Sequence, residues 1–344
     1  MSNHYEHFII KYHNWLRVFR VLVAFTAILT IVLLAEVPYG TWALITPITL
    51  MGTVPYTGGV LFIAKQRILG TAIGAAVGLS LFLIPVKFEL LHYISFVFTV
   101  AGAIYFAQKK YPHAAVIVAL TIVIIAGAGP YDLSSALWRT FNIFWSALIS
   151  LACAFWLLPS RAIYHYFDSI KSFLSACLDV YCEHNQQMKD GTAEPILLES
   201  LSARLGEQRK LLQHVKEERP EQKEIFLQLL VIERRILTMV EILVLTRWSR
   251  QKGRRKIEEM EGLVDAKNQL AGLLDGLIEG VEGKSVRIIE WDDIALLHVV
   301  PEAEGGGDVG SDISWFGYLW INRELARQLA GLSLQLKRFY DSTH

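Results

Sequence analysis

The chain has 344 residues, and its 33 basic side chains balance 33 acidic ones, so the formal net charge at pH 7 is zero. No overall basic surface therefore points to nucleic acid as a partner. The charges are unevenly placed, because nine lie between Val21 and Pro159 whereas 53 follow Pro159. A composition change of this size indicates two environments, lipid for the first half of the chain and water for the second.

Six apolar segments follow one another in the first 160 residues. Each has about 15–20 residues, enough at roughly 1.5 Å per residue to cross a hydrocarbon core of about 30 Å. We place them at Val18–Ala35, Thr41–Val54, Ile68–Ile84, Tyr93–Ala107, Ala114–Ala128 and Leu137–Leu158. Pro47 and Pro55 interrupt the second segment, and the stretch after Pro55 is typical of a break followed by a short amphipathic piece.

Basic residues near the segment ends predict the orientation of the chain. With the N-terminus inside, the outer loops hold only Lys87, apart from Arg139 at a helix end. The cytoplasmic side then holds Lys11, Arg17, Arg20, Lys65, Arg67, Lys109, Lys110 and Arg161. Because positively charged loops stay in the cytoplasm, we expect a multi-pass protein of the bacterial inner membrane with both termini in the cytoplasm.

From Arg161 onward, apolar residues recur with the 3.6-residue period of amphipathic helices. Predicted helices cover Arg161–Lys189, Ile196–Glu218, Pro220–Trp248, Lys252–Val281 and Trp315–Tyr340. Long helices with short breaks favour an antiparallel bundle. The sequence thus predicts an all-α membrane protein: an N-terminal cytoplasmic arm (1–17), a six-helix transmembrane domain (18–160) and a cytoplasmic helical domain (161–344).

Three glycines of the third segment, Gly70, Gly74 and Gly78, are four residues apart and share one helix face. Such a face lets a second backbone approach closely, which is how membrane helices associate. Two interpretations fit this pattern: helix packing alone, or a smooth wall beside a substrate path with Arg67 at its cytoplasmic mouth. Arg67 is also consistent with a plain positive-inside anchor.

Arg139 follows Trp138 at the outer end of the sixth segment and breaks the charge bias, so it needs local compensation. Its guanidinium could reach the outer headgroups, pair with Asp132, or face a water-filled cavity. In the last case it could bind a carboxylate through two hydrogen bonds. Asn142 and Trp145 would then add hydrogen bonds and an aromatic wall. The alternative is an ordinary interfacial tryptophan on a packed helix.

The second segment is polar for a membrane helix, since Trp42 and Thr46 precede Pro47. The proline has no N–H and frees a backbone carbonyl. A free carbonyl is tolerated only beside protein or cavity water. We therefore expect this segment to line a substrate path, with Trp42 and Thr46 among the lining residues.

Signatures of an enzyme, a cofactor or a metal are absent from the sequence. It contains no complete Gly-x-x-x-x-Gly-Lys-Ser phosphate-binding loop, no His-Glu-x-x-His zinc helix and no Gly-x-Ser-x-Gly elbow, so we expect neither catalysis nor a cofactor. No Asp, Glu or His lies near the centre of an apolar segment, so no buried proton relay is visible. His165 and His184 fall on one predicted helix and His214 on another, and we expect all three at the surface rather than as ligands.

Five motifs carry a family resemblance: Thr41-Trp42, the arginine–glycine pattern from Arg67 to Gly78, Lys109-Lys110-Tyr111, Leu137-Trp138-Arg139, and the stretch from Tyr318 to Ala326. Together they resemble the fusaric-acid-resistance-like (FUSC) and aromatic-acid-exporter family, close to its half-size inner-membrane members. The resemblance spans essentially the whole chain. It implies a six-helix membrane unit with a cytoplasmic helical domain, dimerisation of a half-size chain, and export of aromatic carboxylic acids.

Three functions remain open. The leading hypothesis is an exporter of small organic anions, mainly aromatic carboxylic acids of the fusaric-acid or hydroxybenzoate type. Its partners would be the lipid bilayer, the substrate and a second copy of the chain. The first alternative is a passive organic-anion channel that resembles malate-permeable channels. The second is a membrane-anchored scaffold that binds a partner through its cytoplasmic domain, a reading supported by Trp291, Trp315 and Trp320 near the end of that domain.

Overall fold

The computed structural model describes residues 2–52, 54–107, 112–127, 133–192, 194–245, 257, 260–300 and 315–342. Every regular element within these ranges is a helix, which confirms the all-α class. The chain divides into two compact units, Met1–Tyr164 and His165–His344.

The helices of the first unit follow the apolar segments. They are α1 (Ser2–Leu34), α2 (Thr41–Met51), α3 (Thr57–Ser80), α4 (Glu89–Ala107), α5 (Pro112–Ala126) and α6 (Leu133–Trp156). α1 runs from the predicted arm into the first apolar segment, with one non-helical residue at Tyr12 (φ −108°, ψ 15°). The arm and the first segment are therefore helical on both sides of a kink at Tyr12.

Four stretches of described helix are long and apolar enough to cross a membrane: Tyr5–Leu34, Thr57–Leu83, Val86–Phe106 and Ser134–Trp156. α2 and α5 are apolar but have only 11 and 15 residues, which correspond to about 16 and 22 Å. Both are shorter than a hydrocarbon core of about 30 Å. The six-span architecture thus stays a prediction.

Large apolar side chains point outward from the first unit, and small ones lie inside it. Leu34, Leu90, Phe98 and Trp156 are each at least 74% exposed. A buried cluster within the unit consists largely of small residues: Ala24, Leu50, Met51, Val60, Ala64, Ala147 and Ala154. Lipid tails accept an apolar outer surface, and small residues let membrane helices approach closely.

A second difference from the predicted segments is the start of α3, which is Thr57 rather than Ile68. Lys65 and Arg67 interrupt the apolar run there, but lysine and arginine are good helix formers and do not interrupt the helix. The predicted break is present, because α2 ends at Met51 and α3 begins two residues after Pro55.

The second unit contains α7 (Ala162–Asp190), α8 (Glu199–Glu218), α9 (Lys223–Leu245), α10 (Leu263–Gly283), the single turn α11 (Ala295–His298) and α12 (Trp315–Asp341). Buried aromatic rings join α7, α9 and α12. The Phe226 ring centroid lies 5.4 Å from that of Tyr166 and 5.5 Å from that of Phe339. Trp291 and Trp320 are more than half exposed, and the side chain of Trp315 lies outside the described residues.

The prediction that the histidines lie at the surface is wrong for two of them. His165 is 8% exposed and His184 is 5% exposed, whereas His214 is half-buried. Helical periodicity identifies the apolar face of a helix but does not show which polar residues neighbouring helices cover. Burial of these imidazoles was decided by the tertiary packing of the second unit.

Candidate functional site along α2

α2 is a short helix with a proline inside it. Pro47 has no N–H, so the carbonyl of Ala43 lacks its usual donor within the helix. Thr46 is fully buried and donates its hydroxyl to the carbonyl of Trp42 at 3.3 Å, and Trp42 is half-buried. α2 stays helical through the proline and ends at Met51, so it is short rather than broken.

Arg139 lies beside the turn that precedes α2. Its Nη1 donates to the carbonyl oxygen of Ile124 at 2.6 Å, and its guanidinium carbon lies 5.5 Å from the centroid of the Tyr39 ring. Ile124 is in the last turn of α5, where carbonyls have no partner within the helix. Arg139 therefore donates a hydrogen bond to an otherwise unpartnered carbonyl at the end of α5, a helix too short to reach both headgroup layers. Asp132, its predicted alternative partner, lies outside the described residues.

Tyr39 holds its ring near Arg139 with an unusual backbone conformation. Its φ is +54°, in the left-handed region, which costs a non-glycine residue roughly 1–2 kcal/mol. Strained residues of this kind concentrate at binding and switching sites. The strained conformation of Tyr39 thus marks the turn before α2 as a candidate binding site.

Arg67 contacts the opposite end of α2. Its Nη1 donates to the hydroxyl oxygen of Thr49. The neighbouring Gln66 accepts a hydrogen bond from the N–H of Ala114 at 3.1 Å, near the start of α5. Tyr39 and Thr49 are ten residues apart along a mostly helical stretch, so Arg139 and Arg67 contact points separated by about 15 Å.

Asn142 and Trp145 gather around the same turn as Arg139. The amide nitrogen of Asn142 donates to Pro38 O at 2.8 Å, and its amide oxygen accepts from Trp145 Nε1 at 2.9 Å. These side chains already bond to each other and to the turn, and they hold α6 against it. Trp138 lies apart, 38% exposed and edge to face with Phe141.

The three glycines of α3 all face α5. The nearest atoms to a Cβ added at Gly70, Gly74 and Gly78 are Ala114 O at 2.8 Å, Thr121 Cβ at 2.7 Å and Ile125 Cγ2 at 3.1 Å. A side chain at the first two positions would overlap α5. This geometry favours the helix-packing interpretation over a smooth wall beside a substrate path.

Arg20 is a buried residue that sequence reasoning treated only as part of the positive cytoplasmic cluster. It is 3% exposed, and its Nη2 donates to Pro55 O at 2.8 Å while its Nε donates to Leu16 O at 3.2 Å. Pro55 follows α2, so Arg139, Arg67 and Arg20 contact α2 and its flanks in that order. No sequence signal separates Arg20 from Arg17, because the α2–α3 turn decides which arginine is covered.

His92 is a second buried residue that the sequence did not single out. It is fully buried in the first turn of α4, with Nδ1 3.2 Å from Leu81 O and Nε2 3.4 Å from Ala126 O. These carbonyls lie at the C-terminal ends of the α3 segment and of α5. The imidazole lies between two helix ends whose carbonyls lipid could not satisfy, and in its neutral form its one N–H can donate to one of them.

The electrostatic character of the α2 region follows from these partners. Within the described part of the chain, Arg139, Arg67 and Arg20 contact only carbonyl, hydroxyl and aromatic ring groups, all of them neutral. A charge held away from water costs several kcal/mol unless it is paired. Positive charges with neutral partners make the region attractive to an anion and repel a cation.

The second unit holds a buried polar pair of its own. Glu233 on α9 is fully buried and accepts a hydrogen bond from Gln208 Nε2 on α8 at 2.8 Å. Burial raises the pKa of Glu233 from its ordinary 4.5 to about 8, although the bond from Gln208 acts in the opposite direction. Glu233 Oε2 and Gln208 Oε1 are both buried without a hydrogen-bond partner. A proton on Glu233 removes the buried negative charge and gives its carboxyl group a hydrogen-bond donor.

His184 on α7 is also uncharged near neutral pH, because burial disfavours the protonated form of its imidazole. Burial, followed by the nearby charge of Lys267, lowers the pKa of His184 to about 4. Its ring centroid lies 6.0 Å from that of Tyr318 on α12. Among the described residues, no group of three or more His, Cys, Asp or Glu side chains is arranged to hold a metal ion.

The fold defines a helical membrane protein in which Arg20 is buried and Arg67 and Arg139 are half-buried beside α2 and its flanks. Residues 23–153, all in the first unit, match the fusaric acid resistance protein-like family, which confirms the family predicted from the sequence motifs. Over 332 residues the chain is 24% identical to inner membrane protein YeeA of Escherichia coli strain K12. That alignment covers 91% of each protein, so it extends through both units.

Proposed function

We propose that the protein is an inner-membrane exporter of small organic anions, mainly aromatic carboxylic acids, with both termini in the cytoplasm. One observation carries the proposal: the guanidinium of Arg139 contacts Tyr39 in the turn before α2, that of Arg67 contacts Thr49 about 15 Å further along α2, and both bond to neutral groups. Neither arginine has an acidic partner among the described residues, and an anion would supply that opposite charge. The family match and the inner-membrane relative support the location.

Export of an anion needs no proton relay through the membrane. A monoanion that leaves a cell with an inside-negative potential gains about 2.3 kcal/mol per 100 mV, which sustains a gradient of roughly 50-fold. The driving force is therefore sufficient without a carboxylate at the centre of a span. The protein must therefore lower the energy barrier to moving a negative charge across the membrane.

The test is uptake of radiolabelled 4-hydroxybenzoate into proteoliposomes that contain the full-length protein, under an imposed membrane potential. We expect Arg139→Gln and Arg67→Gln to lower transport about tenfold or more, because each removes a charge-assisted contact. Lys87→Gln removes the same charge from an exposed residue between α3 and α4 and should stay within about twofold of the wild type.

Two results would overturn the proposal. The first is a wild-type protein that moves no aromatic acid above empty liposomes, and the second is unchanged anion preference in Arg139→Glu. The same assay separates the carrier from the channel, because a carrier saturates and exchanges substrate whereas a channel passes an electrogenic current with weak saturation. A homodimer stays a prediction of the family resemblance.

A further inference from the structure

Arg20 lies at the end of α2 opposite Arg139, and nothing assigns it a role. Its side chain is 3% exposed. Two of its nitrogens donate to the backbone carbonyls of Leu16 and Pro55. The third, Nη1, is also buried and has no hydrogen-bond partner among the described residues.

A buried guanidinium nitrogen without an acceptor is costly, because burial removes the water that would otherwise bond to it. Arg67 and Arg139 each have such a nitrogen at Nε, but of these three arginines only Arg20 is buried as a whole residue. The two acceptors that Arg20 has are neutral carbonyls, so its positive charge is solvated but not paired. One helical turn earlier, Arg17 carries a second positive charge on the same side of α1. Among the described residues, Arg20 Nη1 therefore has no anionic acceptor.

An aromatic pair lies beside this position. The residue after Pro55 is Tyr56, whose ring stacks on that of His13 with a centroid distance of 6.3 Å and an interplanar angle of 15°. His13 belongs to α1, two helical turns before Arg20. A guanidinium with flat rings nearby suits a ligand that combines a carboxylate with an aromatic ring.

We infer that Arg20 binds the carboxylate of the transported aromatic acid at the end of α2 opposite Arg139, with the ring of the acid beside Tyr56. This inference rests on the proposed function and extends it. The substrate would leave Arg20, pass Arg67 and reach Arg139. Its carboxylate would thus bind three guanidinium groups one after another.

The test uses the full-length protein in proteoliposomes, with 4-hydroxybenzoate as the aromatic probe and acetate as the aliphatic one. Arg20→Gln should raise the KM for 4-hydroxybenzoate about tenfold or more, as expected for the loss of a charge-assisted contact. Arg20→Lys keeps the charge but loses the planar fork, so an intermediate KM is expected. Lys11→Gln, an exposed change on α1, should leave the KM within about twofold.

Tyr56→Leu separates recognition of the ring from recognition of the charge. It should lower the preference for 4-hydroxybenzoate over acetate and leave the KM for acetate unchanged. If Arg20→Gln does not fold, Arg20→Lys decides the matter, and a wild-type KM in that variant overturns the inference.

The two proposals fail in different ways. A wild-type protein that transports 4-hydroxybenzoate, together with an unchanged KM in Arg20→Gln, refutes the role of Arg20 and leaves the proposed function intact. A wild-type protein that transports no aromatic acid refutes the proposed function, and the role of Arg20 with it.

Discussion

Replacement of Glu233 by glutamine should stabilise the second unit, and the gain should grow with pH. The carboxyl group has a pKa of about 8 in the folded protein and an ordinary value of 4.5 when unfolded. Below pH 4.5 it is protonated in both states and costs nothing. Between the two values only the folded state holds the proton, so stability falls by about 1.4 kcal/mol per pH unit.

The magnitude follows from that window. At pH 7 the wild type has lost roughly 3 kcal/mol relative to pH 4, and the loss is complete above pH 8, at about 5 kcal/mol. Glutamine does not titrate, and its amide can donate to Gln208 Oε1, one of the two orphaned oxygens. The free energy of unfolding of Glu233→Gln should therefore exceed that of the wild type, and this difference should increase by about 3 kcal/mol between pH 5 and pH 7.

The assay is hydrogen–deuterium exchange of α8 and α9 peptides in the full-length protein in detergent, at pH 5, 7 and 8.5, with rates corrected for intrinsic exchange. Glu241→Gln is the matched control, since it makes the same chemical change on the same helix at a half-buried position. The titration of His184 affects both proteins alike and cancels in the difference. An equal difference between Glu233→Gln and wild type at pH 5 and 8.5 would refute the reasoning.

Two further predictions concern packing and orientation. Gly74→Ala should lower the melting temperature in detergent, because its Cβ would lie 2.7 Å from Thr121 Cβ and overpacking costs about 1–3 kcal/mol. Gly102→Ala is the control: an added Cβ there would have no heavy atom within 4 Å, so the melting temperature should stay unchanged or rise. Equal losses in the two variants would contradict this account. Cys182 is exposed whereas Cys177 is buried with a raised pKa, so a membrane-impermeant maleimide should label Cys182 in inverted vesicles and not in intact cells. Labelling in intact cells would place the second unit outside the cytoplasm.

Much of the fold could be predicted from the sequence because it depends on local composition. The step in charge at Pro159 separates the membrane unit from the polar unit, and 3.6-residue periodicity predicts α7, which begins one residue after the predicted helix. Pro55 marks the break between α2 and α3. Each of these signals is contained within a few helical turns of chain, so no knowledge of distant contacts is needed.

The candidate site could be predicted only in part. Arg139 breaks the charge bias and so attracts attention in the sequence. Its contacts with Ile124 and Tyr39 join residues 15 and 100 positions away, which no local pattern reveals. Arg20 shows the same limit more strongly, because its burial depends on Pro55, 35 residues further on.

The sequence by itself determined where helices form and which half of the chain holds helices apolar enough to cross a membrane, since both follow from side-chain polarity and its period along the chain. Tertiary structure alone decided which polar groups became buried, among them Arg20, His92, His184 and Glu233. A side chain is buried when elements distant in sequence close over it. That closure depends on how helices pack against one another, and periodicity within a single helix carries no record of it.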